Sequence, residues 1–128
     1  MPAILNYLLH LVTASALLVA FFIVYTRITP FDEVLLIRQG NRAAALSLGG
    51  ALLGFAITIG AAIAHTTDYG QFLGWAVGAT IVQVLAYLVT TRLLHMAKDQ
   101  IEADNGAFGI LMGTISLAIG ILNAACVS

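Results

Sequence analysis

The stretch AAALSLGGALLGFAITIGAAIAHTT, residues 43–67, decides the fold. It runs for 25 residues without a charged side chain, and three more runs of the same kind share the chain: Met1–Thr26, Tyr69–Thr91 and Asn105–Ser128, of 26, 23 and 24 residues. A helix crossing a hydrocarbon core of about 30 Å needs roughly 20 apolar residues, so all four are long enough. Lipid offers the backbone no hydrogen-bond partner, which leaves the helix as the conformation for such a run. The strands of a membrane barrel would alternate with a period of two, whereas a segment such as Leu8–Val24 is apolar all round.

Composition agrees. Hydrophobic residues make up 61% of the 128-residue chain and charged ones 9%, with a mean hydropathy of +1.02. Soluble domains are about 45–50% apolar and about 25% charged. Five basic and six acidic side chains cannot dress a water-facing surface. Soluble globular enzymes, disordered chains and disulfide-rich secreted chains are thereby excluded. A net charge of −1 without a basic cluster removes the case for nucleic-acid binding.

The basic residues orient the chain. Arg27, Arg38 and Arg42 lie between spans one and two, and Arg92 and Lys98 between spans three and four. In a four-span chain these connections share a side, which the positive-inside rule makes cytoplasmic. Both termini and the His65–Gln71 turn are then expected in the periplasm. The first run has no basic segment before its apolar stretch and reads as a retained span, not a cleaved signal. Tyr7, Tyr69 and Trp75 would mark the outer interface, and Tyr25 and Tyr87 the inner one.

Thr29-Pro30-Phe31-Asp32-Glu33 reads as a helix start, with Thr29 as cap, Pro30 in the first turn, and the two acids at the positive end of the dipole. Phe31, Val34 and Leu35 would form an apolar stripe, and Gly40 suits a left-handed exit. The expected element is a short amphipathic helix in the cytoplasmic interface. It is either a capped linker or a docking surface for a partner or lipid, built on Phe31, Glu33, Arg38 and Arg42. The second connection carries His95, Lys98, Asp99, Glu102 and Asp104. A metal site needs at least three convergent ligands, which His95, Asp99 and Glu102 could supply, but the segment reads first as a solvated charged face.

An offset of 64 aligns Asn41 with Asn105, Ala43 with Ala107 and Gly49 with Gly113. Residues 1–64 and 65–128 are therefore expected to be two parallel two-helix repeats, each opening its second span with an asparagine cap. Small residues recur four apart at Gly50/Gly54, Gly74/Gly78 and Gly109/Gly113, a spacing that lets membrane helices approach closely. Spans two and four, through Gly49, Gly50, Gly54, Gly109 and Gly113, should form the packed core. A remaining glycine face could serve a homo-oligomer, most simply a dimer.

No Asp, Glu, Lys or Arg lies within a span, which argues against proton relays, ion pumps and voltage sensors. His10 reads as a hydrogen-bond donor or, less simply, as a proton carrier. Gln83 and Asn123, with Thr80 and Ser116, either bond across helices or line a polar path. No nucleophile–base pair, paired carboxylate, HExxH or phosphate loop is present, so neither catalysis nor a cofactor or metal is expected. Cys126 reads as a buried small hydrophobe or an intersubunit link.

Thr29-Pro30, Glu33, Ile37, Gly40-Asn41 and Ala43-Ala44-Ala45, followed by the Gly49–Gly54 span, resemble the YjfL-like family of bacterial inner-membrane proteins. Asn123-Ala124-Ala125-Cys126 resembles that family's C-terminal signature. The resemblance covers nearly the whole chain and implies a four-span inner-membrane protein in a family of unknown function. It also implies a neighbourhood of membrane-remodelling proteins of the phage-shock type, one of which would be a partner. It supplies no catalytic residues. The expected function is a non-enzymatic membrane scaffold or anchor that presents Thr29–Arg42 to a cytoplasmic partner or to lipid. The alternative is a small oligomeric channel or facilitator for an ion or small solute.

Overall fold

A computed structural model describes residues 2–29, 31–93 and 97–127, and these are helical without strands. The helices are α1 (Ala3–Ile28), α2 (Glu33–Arg38), α3 (Arg42–Ala64), α4 (Tyr69–Leu93), α5 (Ala97–Glu102) and α6 (Gly106–Cys126). Four stretches are long and apolar enough to cross a membrane: Ala3–Ile28, Arg42–Ala64, Tyr69–Thr90 and Gly106–Cys126. The fold is an all-α membrane bundle. His95, and with it the ligand set of His95, Asp99 and Glu102, lies outside the described residues. Among those described, no three His, Cys, Asp or Glu side chains converge.

Helix α3 is the centre, buried at Ala44, Ser47, Leu48, Ala51, Phe55, Thr58 and Ala62, the three-to-four spacing of an inward face. It meets α6 backbone to backbone. A Cβ placed on Gly109 would lie 2.5 Å from the Cα of Ala43, and one on Gly54 would lie 2.6 Å from the Ser116 carbonyl oxygen. Gly50 sits directly against the backbone of Gly113, and Gly120 against that of Gly54. Such contact needs glycine because any side chain would occupy the space of the facing main chain. The Thr58 hydroxyl reaches the Gly54 carbonyl at 3.0 Å and the Gly120 carbonyl at 2.8 Å, tying the pair together. Gly49 takes no part, since a Cβ there would meet nothing within 4 Å. It sits on the neighbouring face of α3, 100° round from Gly50.

Helix α1 is the outlier. Only 6% of its most apolar stretch is buried, against 50% for α3. At one end it leans on α4, where the Thr13 and Tyr69 hydroxyls share a hydrogen bond of 2.6 Å and His10 packs on Tyr69 and Phe72. At the other end it leans on α3, where Phe21 lies flat on Phe55 with ring centroids 4.4 Å apart.

The short helices α2 and α5 close the basic end, each in the same way. Gly40 (φ 84°) and Asp104 (φ 56°) take the left-handed conformation. The amides of Asn41 and Asn105 then reach back to the Leu36 and Gln100 carbonyls at 2.9 and 3.0 Å. Each asparagine caps the next helix: the side-chain oxygen of Asn41 accepts from the Ala44 amide at 2.8 Å, and that of Asn105 from the Phe108 amide at 3.2 Å.

Candidate functional site

The chain between α1 and α3 folds differently from its sequence reading, and the difference creates the site. Thr29 does not cap α2; it ends α1 in extended conformation (φ −70°, ψ 144°), as a residue before proline prefers. Its hydroxyl donates toward the Thr26 and Phe31 carbonyls at 3.1 and 3.2 Å. Asp32 is the cap, its carboxylate accepting from the Leu35 amide at 3.1 Å. Starting the helix at Glu33 turns Phe31 and Glu33 inward and leaves Val34, Leu35 and Arg38 exposed. The expected stripe of Phe31, Val34 and Leu35 is therefore split, and Phe31 and Glu33 cannot belong to a docking surface. Phe31 instead joins Ala43, Ala44 and Ile101 in a small core beneath α2 and α5.

Glu33 is 1% exposed, and neither carboxyl oxygen has a hydrogen-bond partner among the described residues. Around it stand two tyrosines placed by the long helices. Tyr25 of α1 and Tyr87 of α4 are buried with ring centroids 4.2 Å apart. The Tyr25 hydroxyl shares a hydrogen bond of 3.1 Å with that of Ser47 on α3. Both phenols lie within electrostatic reach of Glu33. These tyrosines are not the interfacial belt that the sequence suggests; they are the floor under a buried acid. Burial pushes the Glu33 carboxyl up to about 8, opposed in part by the nearby Thr29 hydroxyl. The five basic side chains, Arg27, Arg38, Arg42, Arg92 and Lys98, are all exposed. At neutral pH the group is chiefly a neutral carboxylic acid, able to release or take a proton as its surroundings change.

The two halves are clasped at the same end. Asp104 accepts from the Arg42 and Ala43 amides at 2.8 and 2.9 Å, so it caps α3 from 62 residues away. The Asn41 side-chain amide returns a bond to the Ile101 carbonyl at 2.7 Å. Arg38 and Arg42 stand exposed beside this clasp.

A second polar cluster lies within the spans. Gln83 is buried and donates toward the Ser116 carbonyl at 3.4 Å. The Asn123 amide donates to the Ala79 carbonyl at 3.0 Å and toward the Gln83 oxygen at 3.3 Å. Thr80 bonds back to Ala76 on its own helix at 2.7 Å. Gln83, Asn123 and Ser116 are thus brought together as a bond between α4 and α6, and Thr80 is not part of it. Leucine at Gln83 is expected to destabilise the protein by about 1 kcal/mol, the scale of hydrogen bonds between membrane helices, while leaving the ion permeability of reconstituted vesicles unchanged. Thermal unfolding in detergent and a vesicle flux assay check the two halves of that expectation. Cys126 is exposed, so its reading as a buried hydrophobe falls.

The family model described as Domain of Unknown Function (DUF350) matches residues 1–127. This chain belongs to that family. It is 30% identical over 128 residues to the UPF0719 inner membrane protein YjfL of Escherichia coli K12, covering all of this chain and 97% of that protein. It is also 30% identical over 110 residues to the UPF0719 transmembrane protein YshE of Bacillus subtilis, covering 84% and 82% of the two chains. No solved structure matches. The DUF350 chain carries in Glu33 an acid that its sequence disguises, because an acid in the first turn of a helix normally needs no other explanation. The available signal is Leu36 and Ile37, apolar positions on the same side of α2 as Glu33.

Proposed function

We propose that this DUF350 protein is a non-enzymatic, multi-pass protein of the bacterial inner membrane that presents α2 at the cytoplasmic face as a docking surface. The carrying observation is the burial of Phe31 and Glu33, which holds α2 on the bundle with Val34, Leu35 and Arg38 exposed and Arg42 close behind. An apolar pair beside two arginines suits an amphipathic, negatively charged target: an acidic segment of a cytoplasmic protein or anionic headgroups. The collection of all five basic residues at this end supports its cytoplasmic placement, with both termini periplasmic. That the relative YjfL is an inner membrane protein of Escherichia coli supports the inner membrane for this chain. The same reading takes the halves as copies of one unit, supported by α2 and α5 falling at 33–38 and 97–102, an offset of 64.

The test is crosslinking in native membranes followed by quantitative mass spectrometry, for the parent and for a double variant with Arg38→Ala and Arg42→Ala. A stoichiometric cytoplasmic companion that disappears in the variant is the expected result. For the lipid arm, the variant should lose retained anionic lipid. If the variant keeps every association of the parent, α2 is not a docking surface.

A further inference from the structure

Glu33 is a buried titratable group with no part in the docking contacts. It is 1% exposed on a helix of six residues, and both carboxyl oxygens lack a hydrogen-bond partner among the described residues. The titratable groups facing it are the phenols of Tyr25 on α1 and Tyr87 on α4. Helix α3 brings the Ser47 hydroxyl, bonded to that of Tyr25 at 3.1 Å, and Thr29 brings its hydroxyl from the end of α1. The five basic side chains are exposed, as are Asp32, Asp99, Glu102 and Asp104. None of these charges is buried beside the carboxyl.

Such surroundings accept a neutral carboxylic acid and reject a carboxylate, because a buried charge without a partner costs far more than a buried neutral group. What this does to α2 follows from how the helix is held. Phe31 anchors its start in the core with Ala43, Ala44 and Ile101, and Leu36 and Ile37 are half-buried. Glu33 is the remaining inward side chain, so an ionised Glu33 reaches water only if the helix lifts. Once lifted, α2 has no bundle to support it, and its six residues fall well short of the roughly 12–15 that an isolated helix needs. Val34, Leu35 and Arg38 then no longer stand together beside Arg42.

We infer that Glu33 is a proton-operated latch on the docking surface: α2 is seated while the carboxyl is protonated and lifts when it ionises, so docking is withdrawn as the pH around this end rises. The inference rests on the proposed role of α2 as the docking helix. The direction follows from the two states of the carboxyl. Seated, it titrates at about 8; lifted into water, it returns to the ordinary 4.5. Between those limits the lifted state has released a proton that the seated state holds. The ratio of lifted to seated helix should therefore rise by up to about tenfold per pH unit across the window and level off above it.

The test puts a nitroxide on Leu35→Cys, an exposed position of α2, in a Cys126→Ser background that removes the native cysteine. The full chain is reconstituted in vesicles of phosphatidylethanolamine and phosphatidylglycerol, and label mobility is followed from about pH 5 to about pH 9. The mobile fraction should grow with pH in the parent, and Glu33→Gln should keep the immobile spectrum throughout. His95→Gln should titrate as the parent does. A label on Leu122→Cys, exposed on α6, should not change, which verifies that the bundle stays folded. Crosslinking in native membranes opened to the buffer reads docking itself: the companion or anionic lipid recovered at acid pH should be lost at alkaline pH from the parent and kept by Glu33→Gln. A label on α2 that stays immobile at every pH overturns the latch and leaves the docking role standing, as does a transition that survives Glu33→Gln or vanishes in His95→Gln. A label that is freed while recovery holds steady overturns both, since docking then does not use the seated helix.

Discussion

Alanine at Gly50 is expected to destabilise the purified protein by at least about 3 kcal/mol, near the upper end for overpacking a close contact. Alanine at the adjacent Gly49 is expected to leave stability unchanged or to raise it by up to about 1 kcal/mol, the gain in helix propensity. The methyl group is the same in both, so the contrast lies in what it meets. At Gly50 it would fall on the main chain of Gly113, which has no rotamer with which to move aside. Helices α3 and α6 would have to part, stretching the bond from Thr58 to Gly120 and loosening the seats of Gly54 and Gly109. At Gly49 the methyl group enters open space. Thermal unfolding of the two variants in one detergent measures the difference. Equal effects would mean that the two helices do not meet along Gly50, Gly54, Gly113 and Gly120.

The four spans were legible because a missing charge is an unambiguous signal over 20 residues. Asn41, Asn105 and Gly40 were legible because capping and left-handed turns are local, decided by a residue and its near neighbours. The rest depended on contacts that no local pattern encodes. Helix α2 has six residues, under two turns, so its periodicity cannot fix which face is buried. Moving the cap from Thr29 to Asp32 rotated Glu33 from solvent into the core. Asp104 reads as one acid among several in a charged connection, yet its partners are the Arg42 and Ala43 amides of the other half. Gly49 and Gly50 are alike as letters, and only the placement of α6 separates them.

The chemistry at the basic end is also lopsided. The turns around Asn41 and Asn105 superpose in their hydrogen bonding. At the offset of 64, however, Glu33 corresponds to Ala97, Tyr25 to Val89 and Ser47 to Leu111. The turn at 97–104 therefore matches the turn at 33–40 in its backbone bonds but has no acid where Glu33 stands. The turn after α2 is bonded to the end of α5 by three contacts, the Asn41 side chain to the Ile101 carbonyl and the Arg42 and Ala43 amides to Asp104.

The buried Glu33 carboxyl has a measurable consequence: stability should fall as pH rises from about 4.5 to about 8, and Glu33→Gln should flatten the slope. The ordinary glutamate value is 4.5 and burial raises this one to about 8. Between those limits the folded protein holds a proton that the unfolded chain has released, so raising the pH favours unfolding. The stabilisation is whole below about 4.5, declines by up to about 1.4 kcal/mol per pH unit across the window, and levels off above about 8. Glutamine keeps the shape and stays neutral throughout, so parent and variant should coincide at the acid end and diverge in the variant's favour at the alkaline end. Hydrogen exchange adds a local readout. At pH 9 the amides of residues 33–38 should exchange faster in the parent than in Glu33→Gln, because an ionised Glu33 has no buried counter-charge among the described residues and must draw α2 off the bundle to reach water. Parallel pH profiles with equal exchange would show that the folded protein carries Glu33 ionised and satisfied, and would remove the buried acid as the hold on α2.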